Sequence, residues 1–143
     1  MLRLEQITDV ASKALMENVM SDQKRIPCVI ARAGTSKGVF LKENHIPPAG
    51  PDRDKVILEI FGSPDVRQID GLGGADPLTS KLAIIGPSTK AGCDVDYTFG
   101  QVSFKAAVVD YSGNCGNISS GVGPFAIDEG LVRAIAPITT VRI

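Results

Sequence analysis

The sequence predicts an α+β domain, and three observations lead there. Short apolar or β-branched runs at Cys28-Val29-Ile30-Ala31, Val39-Phe40-Leu41 and Leu82-Ala83-Ile84-Ile85 are bounded by glycine-bearing turns, as strands are. Two separate stretches, about 4–20 and 52–61, carry helical signals instead. The chain has 143 residues, 43% hydrophobic and 22% charged, which is one globular domain's worth of core and surface.

Leu4, Ile7, Val10, Ala11, Ala14, Leu15 and Val19 recur by threes and fours, which predicts an amphipathic helix within an N-terminal extension over residues 1–24. No chemistry is assigned to it. The texture turns β-like at Arg25 and opens a domain over 25–143, with Pro27 tolerated as a first strand residue. Two strands follow, joined by the polar turn Ala33-Gly34-Thr35-Ser36-Lys37-Gly38. A loop carrying His45, read as a surface residue, leads to Asp52–Phe61, whose acidic opening and Gly62 ending mark a short helix. A second turn, Gly71-Leu72-Gly73-Gly74, precedes Thr79-Ser80-Lys81 and the strand Leu82–Ile85.

Val95, Tyr97 and Phe99 alternate, and the alternation resumes out of phase at Val102, Phe104, Ala106 and Val108. This predicts a half-buried antiparallel hairpin with a turn or bulge at Gly100. Gly113-Asn114-Cys115-Gly116-Asn117 then turns into a helical stretch complicated by Gly121, Gly123 and Pro124. Two versions are open: a kinked helix from Asn117 with Ile118, Val122, Phe125 and Ala126 on one apolar face, or a turn followed by a helix with Pro124 first. Only the first puts Cys115 at a helix start. Ile138–Ile143 reads as a last strand, stopping without a turn or polar tail, as a chain cut inside a strand would.

Fifteen basic against sixteen acidic residues leave a formal charge of -1, so no global field draws the chain to nucleic acid or an anionic membrane. Its apolar runs fall far short of the roughly 20 residues needed to span a bilayer. Three scattered cysteines and one histidine argue against a zinc site or disulfide framework, and no metal or cofactor is expected. With no secretory or transit signal in residues 1–24, the chain reads as cytoplasmic.

Phosphate-loop and dinucleotide fingerprints fail, and no nucleophile elbow surrounds a serine. What remains is a set of donors and one thiol: Arg32, Thr35, Ser36, Lys37, Ser80, Lys81, Asn114, Cys115, Gly116 and Asn117. Such a set suits a small di- or tricarboxylate, gripped by guanidinium, hydroxyls and backbone amides. Gly34, Gly73, Gly74 and Gly116 would let backbone N–H groups approach it. The plain alternatives are turn glycines, solvated loop charges and, for Cys115, a small buried hydrophobe. Cys28, inside an apolar strand, reads as core. Thr-Ser-Lys occurs twice, at 35–37 and 79–81, each time at a strand's mouth where the two sets could meet one anion.

Taken in order, Arg32-Ala33-Gly34-Thr35-Ser36-Lys37-Gly38, Gly71-Leu72-Gly73-Gly74, Thr79-Ser80-Lys81, Asp94-Val95-Asp96-Tyr97 with Gln101-Val102, and Gly113-Asn114-Cys115-Gly116-Asn117 through Gly123-Pro124-Phe125-Ala126 resemble the PrpF-type family. That family comprises 2-methylaconitate and 4-oxalomesaconate isomerases and is related in fold to diaminopimelate epimerase. The resemblance implies two similar α+β halves, each a mostly antiparallel sheet wrapped around a central helix, with the active site between them. It implies cofactor-independent proton transfer that moves a C=C bond in an unsaturated acid. Lys81 matches the family's proton-transfer lysine and Cys115 the cysteine of its second signature, with Arg32, Gly34, Thr35, Ser36, Lys37, Gly73, Gly74, Ser80, Asn114, Gly116 and Asn117 lining the carboxylate pocket.

A lysine acts as base only if its pKa falls well below about 10.4, and Lys37 is the expected depressor if it shares the pocket. Ala33 stands where the family commonly has glycine. The chain matches only the first half of such an isomerase, so the opposite wall would come from a second domain, absent here, or from a homo-oligomer. Weak or no turnover is then expected of the isolated chain. The competing readings are a non-catalytic polycarboxylate-binding domain and an inactive truncated half.

Overall fold

The computed structural model describes residues 23–143, so the amphipathic helix expected at 4–20 lies outside the described residues. Strands β1 (Val29–Ala33), β2 (Ser36–Lys42), β3 (Lys81–Pro87), β4 (Val95–Val102) and β5 (Val109–Asp110) form one sheet in sequence order. Helix α1 (Pro51–Phe61) joins β2 to β3, and α2 (Gly116–Ser119) and α3 (Val122–Asp128) follow β5. The β2–β3 pair is parallel and the other three pairs are antiparallel. The α1 crossover makes the parallel pair possible, since a tight hairpin can join only antiparallel neighbours.

Helices cover both faces of the sheet. Val39, Leu41, Leu82, Ile84, Val102 and Val109 pack on Val56, Ile57 and Phe61 of α1. On the other face Phe40, Ala83, Ile85, Val95 and Phe99 meet Ile118, Val122, Phe125 and Ala126. Each buried valine, leucine, isoleucine or phenylalanine among them contributes about 1.5–3 kcal/mol. Pro51 is the first residue of α1, and Gly62 ends the helix at φ +70, a left-handed cap that a side chain would disfavour.

Several expectations are corrected. β4 runs unbroken through Gly100, and the chain turns at 103–108 instead, where Ser103 N–H bonds Val108 O. The change of phase at Gly100 reflects a sheet buried on both faces: Tyr97 and Phe99 serve one core, Val102 the other. Gly100 is small because a Cβ there would press on Leu82 and Val109, at 3.0 and 3.2 Å. Cys28 is exposed and precedes β1, an edge strand whose Val29 and Ile30 are themselves exposed. His45 is not a free surface residue, since its Nδ1 is buried. The final run is no strand, although Arg142 O accepts the N–H groups of Asp94 and Val95.

The kinked version describes the 116–128 stretch. Ser120 and Gly121 keep right-handed helical dihedrals between α2 and α3, so the path is nearly continuous. Pro124 is the third residue of α3, where a missing N–H costs little. The helix begins one residue earlier than expected, at Gly116, and Cys115 is its N-cap.

Candidate active site

Strand register decides which side chains meet. Gly38 pairs with Lys81 across β2 and β3, so Lys81 lies on the same face as Phe40, Ala83 and Ile85, beneath α2 and α3. Cys115 sits at the N-terminus of α2 on that face. The two meet: Lys81 Nζ is 3.1 Å from Cys115 Sγ, with Ser36 Oγ 4.0 Å from the sulfur and the Phe99 ring centroid 5.9 Å from the ammonium.

Burial pushes the Cys115 thiol pKa up, but the Ile118 N–H, the Lys81 ammonium and the Ser36 hydroxyl outweigh it and hold the thiol below its ordinary value. Sulfur at this position is therefore a ready proton acceptor beside a proton donor. Tyr97 stands on the same face, and burial, reinforced by the charge of Cys115, pushes its phenol up to about 12.

Around the pair, two loops lock together. Asn117 Nδ2 donates to Thr35 Oγ1 at 3.0 Å, and Gly34, at φ +54, lets the turn pass so close that a Cβ would strike the Asn117 amide. Asn114 Oδ1 accepts the Cys115 N–H at 2.7 Å and the Ser119 hydroxyl at 3.4 Å, fixing the residue that carries the sulfur. Gly116 has open space where a Cβ would stand. Ala33 is buried and is not among the residues with positive φ, so its methyl replaces a glycine without strain.

The remaining expected residues face elsewhere. Arg32 pairs with Lys37 in register, and alternation puts both on the α1 face, opposite Lys81. Lys37 is thus not the neighbour that would depress Lys81. The Gly73 and Gly74 amides are already committed, to Phe61 O at 3.3 Å and Ser80 Oγ at 3.4 Å. Ser80 is fully buried and donates to Gln68 Oε1 at 2.6 Å. These three build the strand entry rather than offer donors outward. The two Thr-Ser-Lys segments do lie side by side on β2 and β3, but staggered by one residue, so their lysines leave on opposite faces.

Sequence reasoning missed Gln68, the buried hub of the loop before β3. A polar residue in a stretch of glycine, serine and aspartate reads as loop; the available signal was the pair Gly73-Gly74, which needs something packed against it. No helix among the described residues is long and apolar enough to cross a membrane.

Known proteins similar to this chain share a family. The chain is 75% identical over 124 residues to 3-methylitaconate isomerase of Eubacterium barkeri, covering 87% of this chain and 33% of that protein. It is 57% identical over 121 residues to 4-oxalomesaconate tautomerase of Pseudomonas putida, covering 85% and 34%. It is 51% identical over 118 residues to 2-methyl-aconitate isomerase of Cupriavidus necator, covering 78% and 30%. The chain thus spans about a third of the length of these curated relatives. A crystal structure of methylitaconate-delta-isomerase superposes with a TM-score of 0.82 at 75% identity, covering 85% of this chain and 54% of that one. The family model described as PrpF protein matches residues 23–143, and the chain belongs to the PrpF family.

Proposed function

We propose that this chain supplies one wall of the active site of an isomerase that moves a C=C bond in an unsaturated di- or tricarboxylic acid. A proton leaves one allylic carbon, the electrons delocalise over the allyl unit and its carboxylate, and a proton returns to the far carbon. No electron acceptor is consumed and the atoms balance within the acid. The observation that carries this reading is the 3.1 Å contact between Lys81 Nζ and Cys115 Sγ, one proton-bearing group and one proton-accepting group at the mouth of a sheet. Relatives named for methylitaconate, oxalomesaconate and methylaconitate support the substrate class.

Lys81 acts as the base once its proton has crossed to the sulfur, leaving a neutral amine. The lowered thiol pKa favours a second assignment, in which the Cys115 thiolate takes the allylic proton and the Lys81 ammonium returns one. Ser36, Thr35, Asn114 and Asn117 border the pair and orient the carboxylates. The facing wall comes from a second domain or a second copy, and the setting is the reducing cytoplasm, where the thiol persists.

The test is proton exchange by the complete protein, with both walls of the cleft present, in deuterium oxide, followed by NMR, with 3-methylitaconate, aconitate and methylaconitate. Deuterium should enter an allylic position of at least one acid. Lys81→Ala should abolish incorporation while acid binding persists; Cys115→Ser abolishes it only if sulfur exchanges the proton itself. A protein that binds these acids without incorporating deuterium is a binding domain, and the enzyme reading fails.

A further inference from the structure

The loop between α1 and β3 closes on one buried amide. Gln68 is 1% exposed and holds φ +47, a left-handed conformation that costs a non-glycine residue energy and persists where surroundings impose it. Its Oε1 accepts the Ser80 hydroxyl at 2.6 Å and the Ala75 N–H at 2.8 Å, and its Nε2 donates to Ser63 Oγ at 3.0 Å. Its backbone carbonyl accepts the Gly71 N–H at 3.2 Å. Gly73 has no Cβ because one would fall on this amide.

We infer that Gln68 is a positioning residue for the Lys81–Cys115 couple, an inference that rests on the proton-transfer reading above. Ser80 lies in the bend that leads into β3, one residue before Lys81, and its hydroxyl turns into the loop toward Gln68 while Lys81 leaves toward Cys115. Holding the Ser80 hydroxyl fixes the backbone from which Lys81 leaves. The ladder grips Lys81 through Gly38 and Gln101, but Lys81 is the first residue of β3, and element ends open most readily. Ahead of it the ties are to Ser80: its carbonyl accepts the Val102 N–H and the Gln101 side-chain amide, and its hydroxyl is held by Gln68. A strand end freed of Gln68 lets the ammonium drift from a sulfur now 3.1 Å away, and the contact weakens steeply with small displacement.

The test reads the thiol itself. In a background with Cys28 and Cys93 replaced by serine, ultraviolet absorbance follows the Cys115 thiolate against pH. Gln68→Met keeps the length but leaves the Ser80 hydroxyl proton and the Ala75 N–H without an acceptor; near the parent's midpoint its thiolate signal should fall about threefold, because the ammonium no longer favours the anion. Ser80→Ala, which removes the same bond from the other side, should do likewise, and the two effects should not add. Gln68→Glu, able to accept from Ser80, Ala75 and Ser63 together, should restore the signal, whereas Ser63→Ala should leave it unmoved. With a turned-over acid, kcat should drop and KM hold. Folded Gln68→Met and Ser80→Ala proteins that titrate like the parent overturn the inference; if Gln68→Met does not fold, Ser80→Ala decides. The titration needs no turnover, so absence of deuterium incorporation by the complete protein sinks the isomerase reading without deciding this one.

Discussion

Gly38→Ala probes how sheet and helix set the distance between ammonium and sulfur. Gly38 lies on the α2 face of β2, in register with Lys81, and a Cβ built there stands 2.9 Å from Ile118 Cδ1 and 3.0 Å from Lys81 O. The carbonyl belongs to a laddered strand and cannot retreat. Ile118 must yield, and Ile118 is fully buried in the same helical turn that begins after Cys115. Overpacking of this kind costs about 1–3 kcal/mol, while removing a glycine from a strand interior returns about 0.5–1 kcal/mol. The net expectation is a loss of about 0–2.5 kcal/mol, centred near 1, and at that centre a melting temperature lower by roughly 2–4 °C.

The same displacement carries Cys115 away from Lys81, so the thiol pKa should rise toward its ordinary value. Circular dichroism melts give the first quantity, and thiolate titration gives the second. Both tyrosines ionise far above the thiol window, Tyr97 at about 12 and Tyr111 higher still through burial and its bond to Asp54, so the signal is clean. Ile118→Val removes the obstructing methyl; alone it should cost about 0.5–1.5 kcal/mol. Combined with Gly38→Ala it should be less destabilising than the sum of the two, by about 1 kcal/mol. Strict additivity, or a Gly38→Ala protein that melts no lower than the parent with its thiol unmoved, refutes the steric argument.

Four further outcomes follow from individual contacts. Lys81→Met removes a charge that favours the thiolate, so alkylation of Cys115 measured by peptide mass should fade at a higher pH than in the parent. A thiol with a lowered folded-state pKa stabilises the fold fully above the ordinary thiol range and loses that contribution as pH falls through its folded value; denaturant midpoints of parent and Cys115→Ser should therefore diverge on the alkaline side of this window. Arg53 is 7% exposed, with Nε 2.7 Å from Pro47 O and Nη2 3.5 Å from Glu43, so Arg53→Leu should cost about 1–3 kcal/mol in urea denaturation by leaving that carbonyl unpaired, and Arg53→Lys should recover little. Tyr111→Phe, which deletes the 2.6 Å bond to Asp54 that ties the chain after β5 to α1, should cost about 1–2 kcal/mol by the same assay.

What the sequence discloses about this molecule divides along a physical line. Features with a local cause are legible: Pro51 and Gly62 bracket α1, Gly34 turns β1 into β2, and the run Leu82–Ile85 is a strand whatever surrounds it. Features caused by a distant neighbour are not. Gly100 imitates a turn, yet it is glycine because Leu82 and Val109 press on it, and Cys28 imitates a core residue, yet the edge of the sheet leaves it in solvent.

The candidate site straddles this line. Lys81 and Cys115 are legible through their motifs and converge as those motifs imply, but the faces on which Lys37 and Arg32 emerge depend on a one-residue stagger between β2 and β3, which composition does not encode. Shifting that stagger by one position would set Lys37 opposite Lys81 and put both lysines on one face. The register is held at the strand mouths by Lys37 N–H to Leu78 O and by Ser80 on Gln68. The least conspicuous loop in the sequence therefore helps keep only one of the two lysines beside the sulfur.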